Sequence, residues 1–320
     1  MEEDKNKTVD IFVKHFEESK QYYDKDKKFL NQGNYVGAYI KTISEYINQS
    51  NDSTLLGLYG SIKDTTEFLS KKLIEKEIIP KTRTTLSLKA VSEVIIHLLH
   101  KYTSKKTNED LSTIKTHLVN ITNDLYVLSY HAKDKISSFF SHSIKNGCTI
   151  LVHGYSSTIA YSLIQGRKQG KRFKVYITKA QPDDCGTLME EELKKNDIDA
   201  KVILDIAIGF YMKDVDYVLV GADAVCENGG IINKIGTFTL AICAKNFKKP
   251  FYVMIDSLKF LKIYPLDQVD VQQSLSKYII EEDQVCCDYT PPEFITLLFT
   301  DIGILTPSAV SDELIQVFYT

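Results

Sequence analysis

Residues 217–223 are Tyr-Val-Leu-Val-Gly-Ala-Asp, a short apolar run that ends in two small residues and a carboxylate. A run of this length, followed directly by a small-residue turn, is typical of a strand buried inside a sheet. The carboxylate of Asp223 would then stand at the tip of that strand. We therefore predict a buried sheet whose strand ends carry polar side chains.

Further runs of the same kind lie after residue 146. They are Thr149–Val152, Phe173–Ile177, Lys201–Leu204 and Phe251–Ile255. Amphipathic segments with a helical period lie between runs, for example in residues 187–196. Buried strands that alternate with helices indicate βαβ units. Residues 147–320 are therefore predicted to form a Rossmann-like α/β domain around a doubly wound parallel sheet.

The first 146 residues follow a different pattern. Only one of the seven prolines and four of the fifteen glycines lie there, so the segment has few residues that interrupt helices. Apolar residues recur with the period of an α-helix, and one long amphipathic segment runs from Leu118 to Phe140. Gly147 is the predicted end of that helix. We predict an amino-terminal helical bundle domain over residues 1–146.

The charge balance excludes some partners. The chain has 39 basic and 42 acidic residues, which gives a formal net charge of −3. Such a balance offers no overall field for nucleic acid or for an anionic membrane. No segment is long and apolar enough to span a bilayer. We therefore expect no nucleic-acid partner and no membrane partner.

The amino terminus and the cysteines indicate the cytosol. Residues 1–5 are Met-Glu-Glu-Asp-Lys, and no apolar signal-peptide core follows them. The six cysteines are scattered without metal-ligand spacing, and the seven histidines form no cluster. The sequence therefore predicts a cytoplasmic protein with reduced thiols, no metal and no cofactor.

Candidate site residues follow the predicted strands, because ligands of open parallel sheets bind at the carboxyl ends of the strands. After the first strand come Gly154, Tyr155, Ser156 and Ser157, where a helix is predicted to begin. Backbone N–H groups and hydroxyls at a helix start can bind a phosphate. The alternative is that Ser156 or Ser157 only caps the helix.

A second group of candidates surrounds Asp223. A glycine-rich segment, residues 227–237, follows this carboxylate and contains Asn233 and Lys234. Asp223 would bind the hydroxyls of a polyol phosphate, and Lys234 would bind its negative charge. The alternative is a tight loop that Asp223 caps, with Lys234 in solvent. The glycine spacing matches neither a Walker loop nor a dinucleotide-binding fingerprint, which argues against nucleotide enzymes of those kinds.

Two long segments carry a resemblance to a known family. They are Glu227-Asn228-Gly229-Gly230-Ile231-Ile232-Asn233-Lys234-Ile235-Gly236-Thr237 and Leu305-Thr306-Pro307-Ser308-Ala309-Val310-Ser311-Asp312-Glu313-Leu314. On these residues the chain resembles the initiation factor 2B alpha/beta/delta subunit family, which is related to methylthioribose-1-phosphate isomerases. The likeness spans residues 149–315 and is weaker in the helical half.

The resemblance implies roles for individual residues. A catalytic aspartate of the related isomerases corresponds to Asp223, and their catalytic cysteine follows the histidine that corresponds to His153. Here the residue after His153 is Gly154. The substrate-holding arginine of the isomerases corresponds to Gln181. The chain is thus expected to have a pocket that has lost its catalytic activity but still binds a sugar phosphate or a nucleoside monophosphate. The predicted ligand-binding residues are Gly154, Tyr155, Ser156, Ser157, Gln181, Asp223, Asn233 and Lys234.

The family also implies a function and partners. The expected function is that of a regulatory, non-catalytic subunit of the guanine-nucleotide exchange factor for initiation factor 2, which promotes complex assembly and senses the phosphorylated alpha subunit of initiation factor 2. The expected partners are a second copy of the chain and the beta, gamma, delta and epsilon subunits. The alternative is an active sugar-phosphate isomerase. Gly154 argues against it, because glycine supplies no acid, base or nucleophile.

Overall fold

The structure is a computed structural model that describes residues 2–23, 34–79, 84–105, 110–275, 278 and 285–319. Its amino-terminal part is helical, as predicted, and its helices are α1 (Glu2–Tyr23), α2 (Tyr35–Gln49), α3 (Leu55–Glu75), α4 (Leu86–Lys105) and α5 (Leu111–Ser141). The helix α2 begins at a capping residue, since Asn34 Oδ1 accepts a hydrogen bond from the N–H of Gly37. This cap satisfies a backbone donor that the helix start would otherwise leave unpaired.

The helix α5 is the predicted long amphipathic helix, but it ends earlier than predicted. The expected stop was Gly147, whereas the last helical residue is Ser141. Gly147 instead lies in the turn before the first strand, where its φ is +80° and its N–H donates to the carbonyl of Arg172 at 2.7 Å. Glycine adopts this left-handed conformation without steric strain, so Gly147 forms the turn rather than the helix end.

The carboxyl-terminal part alternates strands and helices, which confirms the predicted α/β fold. Its strands are β1 (Thr149–His153), β2 (Lys174–Thr178), β3 (Asp199–Ile203), β4 (Tyr217–Gly221), β5 (Ala224–Cys226), β6 (Ile231–Lys234), β7 (Phe251–Met254), β8 (Phe260–Leu261), β9 (Cys287–Thr290), β10 (Leu297–Thr300) and β11 (Gly303–Leu305). Its helices are α6 (Ser157–Lys168), α7 (Cys185–Lys195), α8 (Ile208–Tyr211), α9 (Thr237–Asn246), α10 (Gln268–Leu275) and α11 (Pro307–Tyr319).

The main sheet contains every predicted strand. Its order is β11-β10-β7-β4-β1-β2-β3, and neighbouring strands are parallel except for β10 and β11. The strands β1, β2, β3, β4 and β7 match the predicted runs to within two residues at each end. Val218, Leu219 and Val220 of β4 are fully buried, as expected for a central strand covered on both faces. The carboxyl ends of β7, β4 and β1 therefore lie side by side.

The second sheet, of order β8-β5-β6-β9, was not predicted. The glycine-rich segment after Asp223 was expected to be a loop, but it contains β6, which pairs with the preceding strand β5 as an antiparallel hairpin. Gly229 allows the turn, because its φ is +82° and a Cβ there would lie 2.1 Å from the carbonyl oxygen of Pro307. Asn233 and Lys234 are consequently strand residues of β6.

The apolar core joins the two parts of the chain. One cluster of buried residues contains Phe12 and Leu118 of the helical part together with Val218 and Leu240 of the sheet part. The division into domains 1–146 and 147–320 stays a prediction. Within the described residues, no helix is both long enough and apolar enough to cross a bilayer.

Candidate functional site

A cavity of about 560 Å³ lies where the helical part meets the carboxyl ends of β1, β4 and β7. Pockets of this volume hold small organic ligands. The predicted residues that line it are Tyr155, Ser156, Ser157, Asp223, Asn233 and Lys234. Gly154 and Gln181 lie outside its lining. The structure therefore brings together most of the predicted residues, although their role in binding stays a prediction.

The start of α6 shows how its polar residues are used. Ser156 is the N-cap residue, and its side chain accepts a hydrogen bond from the N–H of Ile159 at 3.5 Å. Ser156 therefore caps the helix, and its role in phosphate binding stays a prediction. The hydroxyl of Tyr155 donates to Glu192 Oε2 at 2.7 Å, and Glu192 is fully buried. These bonds fix the helix start against the cavity wall.

His153 connects β1 to neighbouring segments. Its Nε2 lies 2.9 Å from the carbonyl oxygen of Ile235, which can only accept, so Nε2 carries the hydrogen. Its Nδ1 therefore accepts from the hydroxyl of Thr178 at 2.6 Å. Burial lowers the pKa of His153, so the ring is neutral at pH 7. Both ring nitrogens form hydrogen bonds inside the protein, so neither is available to a ligand in this arrangement.

Gly154 occupies a position without room for a side chain. Its φ is +57°, and a Cβ there would lie 2.8 Å from the Cβ of Ala180 and 2.9 Å from Sγ of Cys185. Real Cβ atoms do not approach so closely without movement of their neighbours. Cys185 is buried, and burial raises the pKa of its thiol. The space in which a cysteine side chain would begin is thus filled by Ala180 and Cys185.

Asp223 and Asn233 are held by hydrogen bonds inside the protein. The carboxylate of Asp223 accepts from the hydroxyl of Thr84, which precedes α4, at 2.9 Å. The Asn233 amide donates to Oγ1 of Thr237 at 3.0 Å. Asp223, which lines the cavity, therefore joins the sheet part to the helical part.

Lys234 forms an ion pair with Asp183, which precedes α7. The two side chains are only 12% and 16% exposed. Burial would raise the pKa of Asp183, but the hydrogen bond and charge of Lys234 outweigh it and hold the pKa below its ordinary value. The alternative of a solvated Lys234 is therefore wrong, because a carboxylate from another segment covers the ammonium group.

Gln181 does not reach the cavity. Its side chain is exposed, and its backbone N–H donates to Asp205 Oδ2 at 3.1 Å. The neighbouring N–H of Ala180 donates to the other oxygen of Asp205 at 2.9 Å. Asp205 thus fixes this turn from the end of β3. These backbone hydrogen bonds fix the position of the segment, and Gln181 is exposed outside the cavity lining.

The start of α9 is closed by a buried carboxylate. Asp288 Oδ2 accepts from the N–H groups of Gly236 and Phe238, at 2.8 and 3.1 Å. Burial raises the pKa of Asp288 to about 7, although these two hydrogen bonds act in the opposite direction. An anionic ligand would have to displace Asp288 to use this helix start, so the start of α9 is not a free phosphate site.

Several lining residues escape prediction from the sequence. They are Thr84, Lys133, Asp256 and Lys259. Lys133 is on α5, and no pattern in a helix indicates which distant cavity it will face. Asp256 does follow a predicted strand, so the rule about strand ends could have found it. Among the described residues, no group of three or more histidines, cysteines or acids is placed to hold a metal ion.

A helical part packed on a mostly parallel sheet, with a polar cavity at the strand ends, defines an α/β protein of Rossmann-like architecture. The same fold occurs in the tetrameric eIF2B-beta2-delta2 complex from C. thermophilum, with a TM-score of 0.75 over 99% of this chain and 95% of that chain, at 16% identity. The sequence profile of the initiation factor 2 subunit family matches residues 38–307. The chain belongs to this family of translation initiation factor subunits.

Two curated proteins with sequences similar to this chain have different functions. The alpha subunit of translation initiation factor eIF2B from Dictyostelium discoideum is 38% identical over 300 residues, which cover 87% of this chain and 90% of the relative. Ribose 1,5-bisphosphate isomerase from Methanocaldococcus jannaschii is 30% identical over 217 residues, which cover 65% of this chain and 70% of the relative. The relatives that this chain resembles thus include both an initiation factor subunit and an isomerase.

Proposed function

We propose that the chain is a regulatory, non-catalytic subunit of the guanine-nucleotide exchange factor for initiation factor 2. In this role it assembles with the beta, gamma, delta and epsilon subunits in the cytoplasm, and its helical part faces the phosphorylated alpha subunit of initiation factor 2. The observation that carries the proposal is Gly154, at the position of the isomerase cysteine, where neighbouring side chains leave no space for a thiol. The likeness to an eIF2B alpha subunit over most of both chains supports it.

The second candidate is a sugar-phosphate isomerase, which Asp223 favours because a carboxylate lines the cavity. An isomerase of this kind also needs a thiol. Cys185 is the nearest one to Gly154, but burial raises its pKa, so it is protonated at neutral pH and a weak nucleophile or base. We therefore favour a cavity that binds a sugar phosphate or a nucleoside monophosphate without converting it.

The regulatory role is tested by reconstituted nucleotide exchange. A complex of the beta, gamma, delta and epsilon subunits is assayed on initiation factor 2, with and without phosphorylated initiation factor 2 as inhibitor. Adding the purified chain is expected to increase inhibition by about fivefold or more, the lower end of ordinary allosteric coupling. An archaeal ribose 1,5-bisphosphate isomerase, added in the same amount, is the control of related sequence. Equal inhibition with and without the chain would contradict the proposal.

We propose that two copies of the chain pair through the sheet part. The apolar residues Leu298 and Phe299 do not offer such a contact, because they are buried inside the main sheet. Exposed apolar residues lie instead after β3, where Ile206 is 93% and Phe210 is 68% exposed. Large apolar side chains in solvent, close together in the chain, are typical of a protein contact.

A light-scattering measurement tests this pairing. The purified chain is expected to have the mass of a dimer at micromolar concentration. Ile206→Asp should give a monomer, because a carboxylate buried in an apolar contact is costly. Ile302→Asp is the matched control, since Ile302 is also exposed but lies at the opposite edge of the main sheet. A monomeric wild-type chain, or a dimeric Ile206→Asp variant, would show that these residues do not mediate pairing.

A further inference from the structure

Basic residues collect at the edge of the main sheet opposite the cavity, where β1, β2 and β3 begin. These strands are parallel neighbours, so the segments that lead into them, residues 145–149, 165–174 and 193–199, lie side by side. Together the three segments contain eight basic and two acidic residues, whereas the whole chain has a net charge of −3. We infer that this basic face binds the phosphate backbone of double-stranded RNA without reading its base sequence.

Hydrogen bonds join the three segments into one surface. The N–H of Gly147 donates to the carbonyl oxygen of Arg172 at 2.7 Å, and the N–H of Arg172 donates to the side-chain oxygen of Asn146 at 2.9 Å. On the other side, Nε of Arg167 donates to the carbonyl oxygen of Asp197 at 2.9 Å. Neighbouring strands of a sheet are about 4.8 Å apart, so the cations of the three segments act on the same region of solvent.

Most cations of the basic face have no acidic partner. Lys194 is paired, since its Nζ lies 3.0 Å from Oε1 of Glu190. In the part of the chain that the structure describes, no carboxylate lies within ion-pair distance of Lys145, Lys168, Lys171, Arg172 and Lys195. Like charges held close together repel one another, and phosphate groups between them would remove that repulsion.

The ends of the helices explain only part of this pattern. Four of the cations are in the last turns of α6 and α7, where a positive charge stabilises a helix. Lys145, Lys171 and Arg172 lie outside the helices, so that effect does not account for them. The basic face therefore has more positive charge than its helices require.

The composition of the basic face favours an RNA duplex over other anionic partners. Its large apolar side chains, such as Phe173 and Ile198, are buried. A protein partner needs exposed apolar side chains at the centre of the contact, and single-stranded RNA needs exposed aromatic rings on which its bases stack. The backbone of a duplex needs only cations. RNA is favoured over DNA because the chain belongs to a family of translation initiation factor subunits.

The overall charge of the chain does not reveal this face. The balance of basic and acidic residues led to the expectation of no nucleic-acid partner, because it gives no field over the whole molecule. The fold brings cations from three separate segments of the sequence to one edge of the sheet. Such a local field can bind a polyanion although the whole chain is slightly acidic.

Fluorescence anisotropy with a labelled RNA duplex of mixed sequence tests the inference. The full chain should bind with a Kd of about 10 μM or lower at about 50 mM salt. Replacing Lys145, Arg172 and Lys195 by glutamine removes one exposed cation from each segment. This triple variant should bind about a hundredfold more weakly. The slope of log K against log salt should decrease by about two to three, because three phosphate contacts are lost.

A second triple variant is the matched control. Replacing Lys7, Lys14 and Lys63 by glutamine removes the same charge from exposed positions of the helical part, and binding should stay within about threefold of the wild type, because distant charges are screened. Thermal unfolding checks that both variants are folded. Poly-glutamate is the control ligand and should bind more weakly than the duplex. No RNA binding at about 50 mM salt, an equal effect of the two triple variants, or equally tight binding of poly-glutamate would overturn the RNA site.

Discussion

Replacing Gly154 by cysteine is expected to destabilise the protein and to give no isomerase activity. The backbone there has φ +57°, which costs a residue with a Cβ about 1–2 kcal/mol. The added side chain also meets Ala180 and Cys185 at less than van der Waals distance, and overpacking of this kind costs about 1–3 kcal/mol. The free energy of unfolding should therefore fall by about 2–5 kcal/mol.

Urea unfolding measures this loss, and Gly147→Cys is its matched control. Gly147 has φ +80° but no described atom within 4 Å of its Cβ position, so only the backbone cost of about 1–2 kcal/mol applies. Combining Gly154→Cys with Cys185→Ala should recover part of the loss, because one of the two close contacts disappears. If Gly154→Cys is no less stable than Gly147→Cys, or converts ribose 1,5-bisphosphate, the position has room for a working thiol.

The sequence predicts the main sheet well because its strands obey local rules. The central strand β4 is a continuous apolar run that ends at Gly221, and burial on both faces requires that pattern. The hairpin of β5 and β6 is harder to predict. Its strands are three and four residues long, and the glycines between them look like those of a loop. Its pairing with β9 also joins residues far apart in the chain.

The candidate site is predictable only where it follows the strands. Asp223 lies two residues after the end of β4 and Ser156 three residues after the end of β1, so the rule about strand ends finds them. Lys133 comes from a helix whose rotation is set by packing against the sheet part. Asp183 is 51 residues before Lys234, and no local sequence pattern predicts that the two side chains form an ion pair. The sequence therefore indicates where a ligand could bind. The fold determines which charged side chains are already paired inside the protein and which could contact a ligand.

The ion pair of Lys234 and Asp183 has a further consequence for stability. Lys234→Met is expected to lower the free energy of unfolding by about 3–5 kcal/mol, because it leaves a largely buried carboxylate without its cation. Asp183→Asn removes the other charge and should have an effect of similar size. The double variant should recover more than half of the loss, since neither charge is then buried alone.

The pH dependence of unfolding distinguishes this account from a simple loss of packing. The pKa of Asp183 is held below its ordinary value in the folded wild type, so the pair stabilises the fold above about pH 4, the ordinary value for an unfolded aspartate. That stabilisation is lost as the pH falls through the folded pKa. In the Lys234→Met variant, burial without the cation should raise the pKa of Asp183. The free energy of unfolding of this variant should therefore increase as the pH falls from 7 towards 4. The difference in free energy of unfolding between wild type and variant, measured by urea unfolding, should therefore decrease over this pH range. A constant difference would mean that lost packing, and not lost charge, causes the destabilisation.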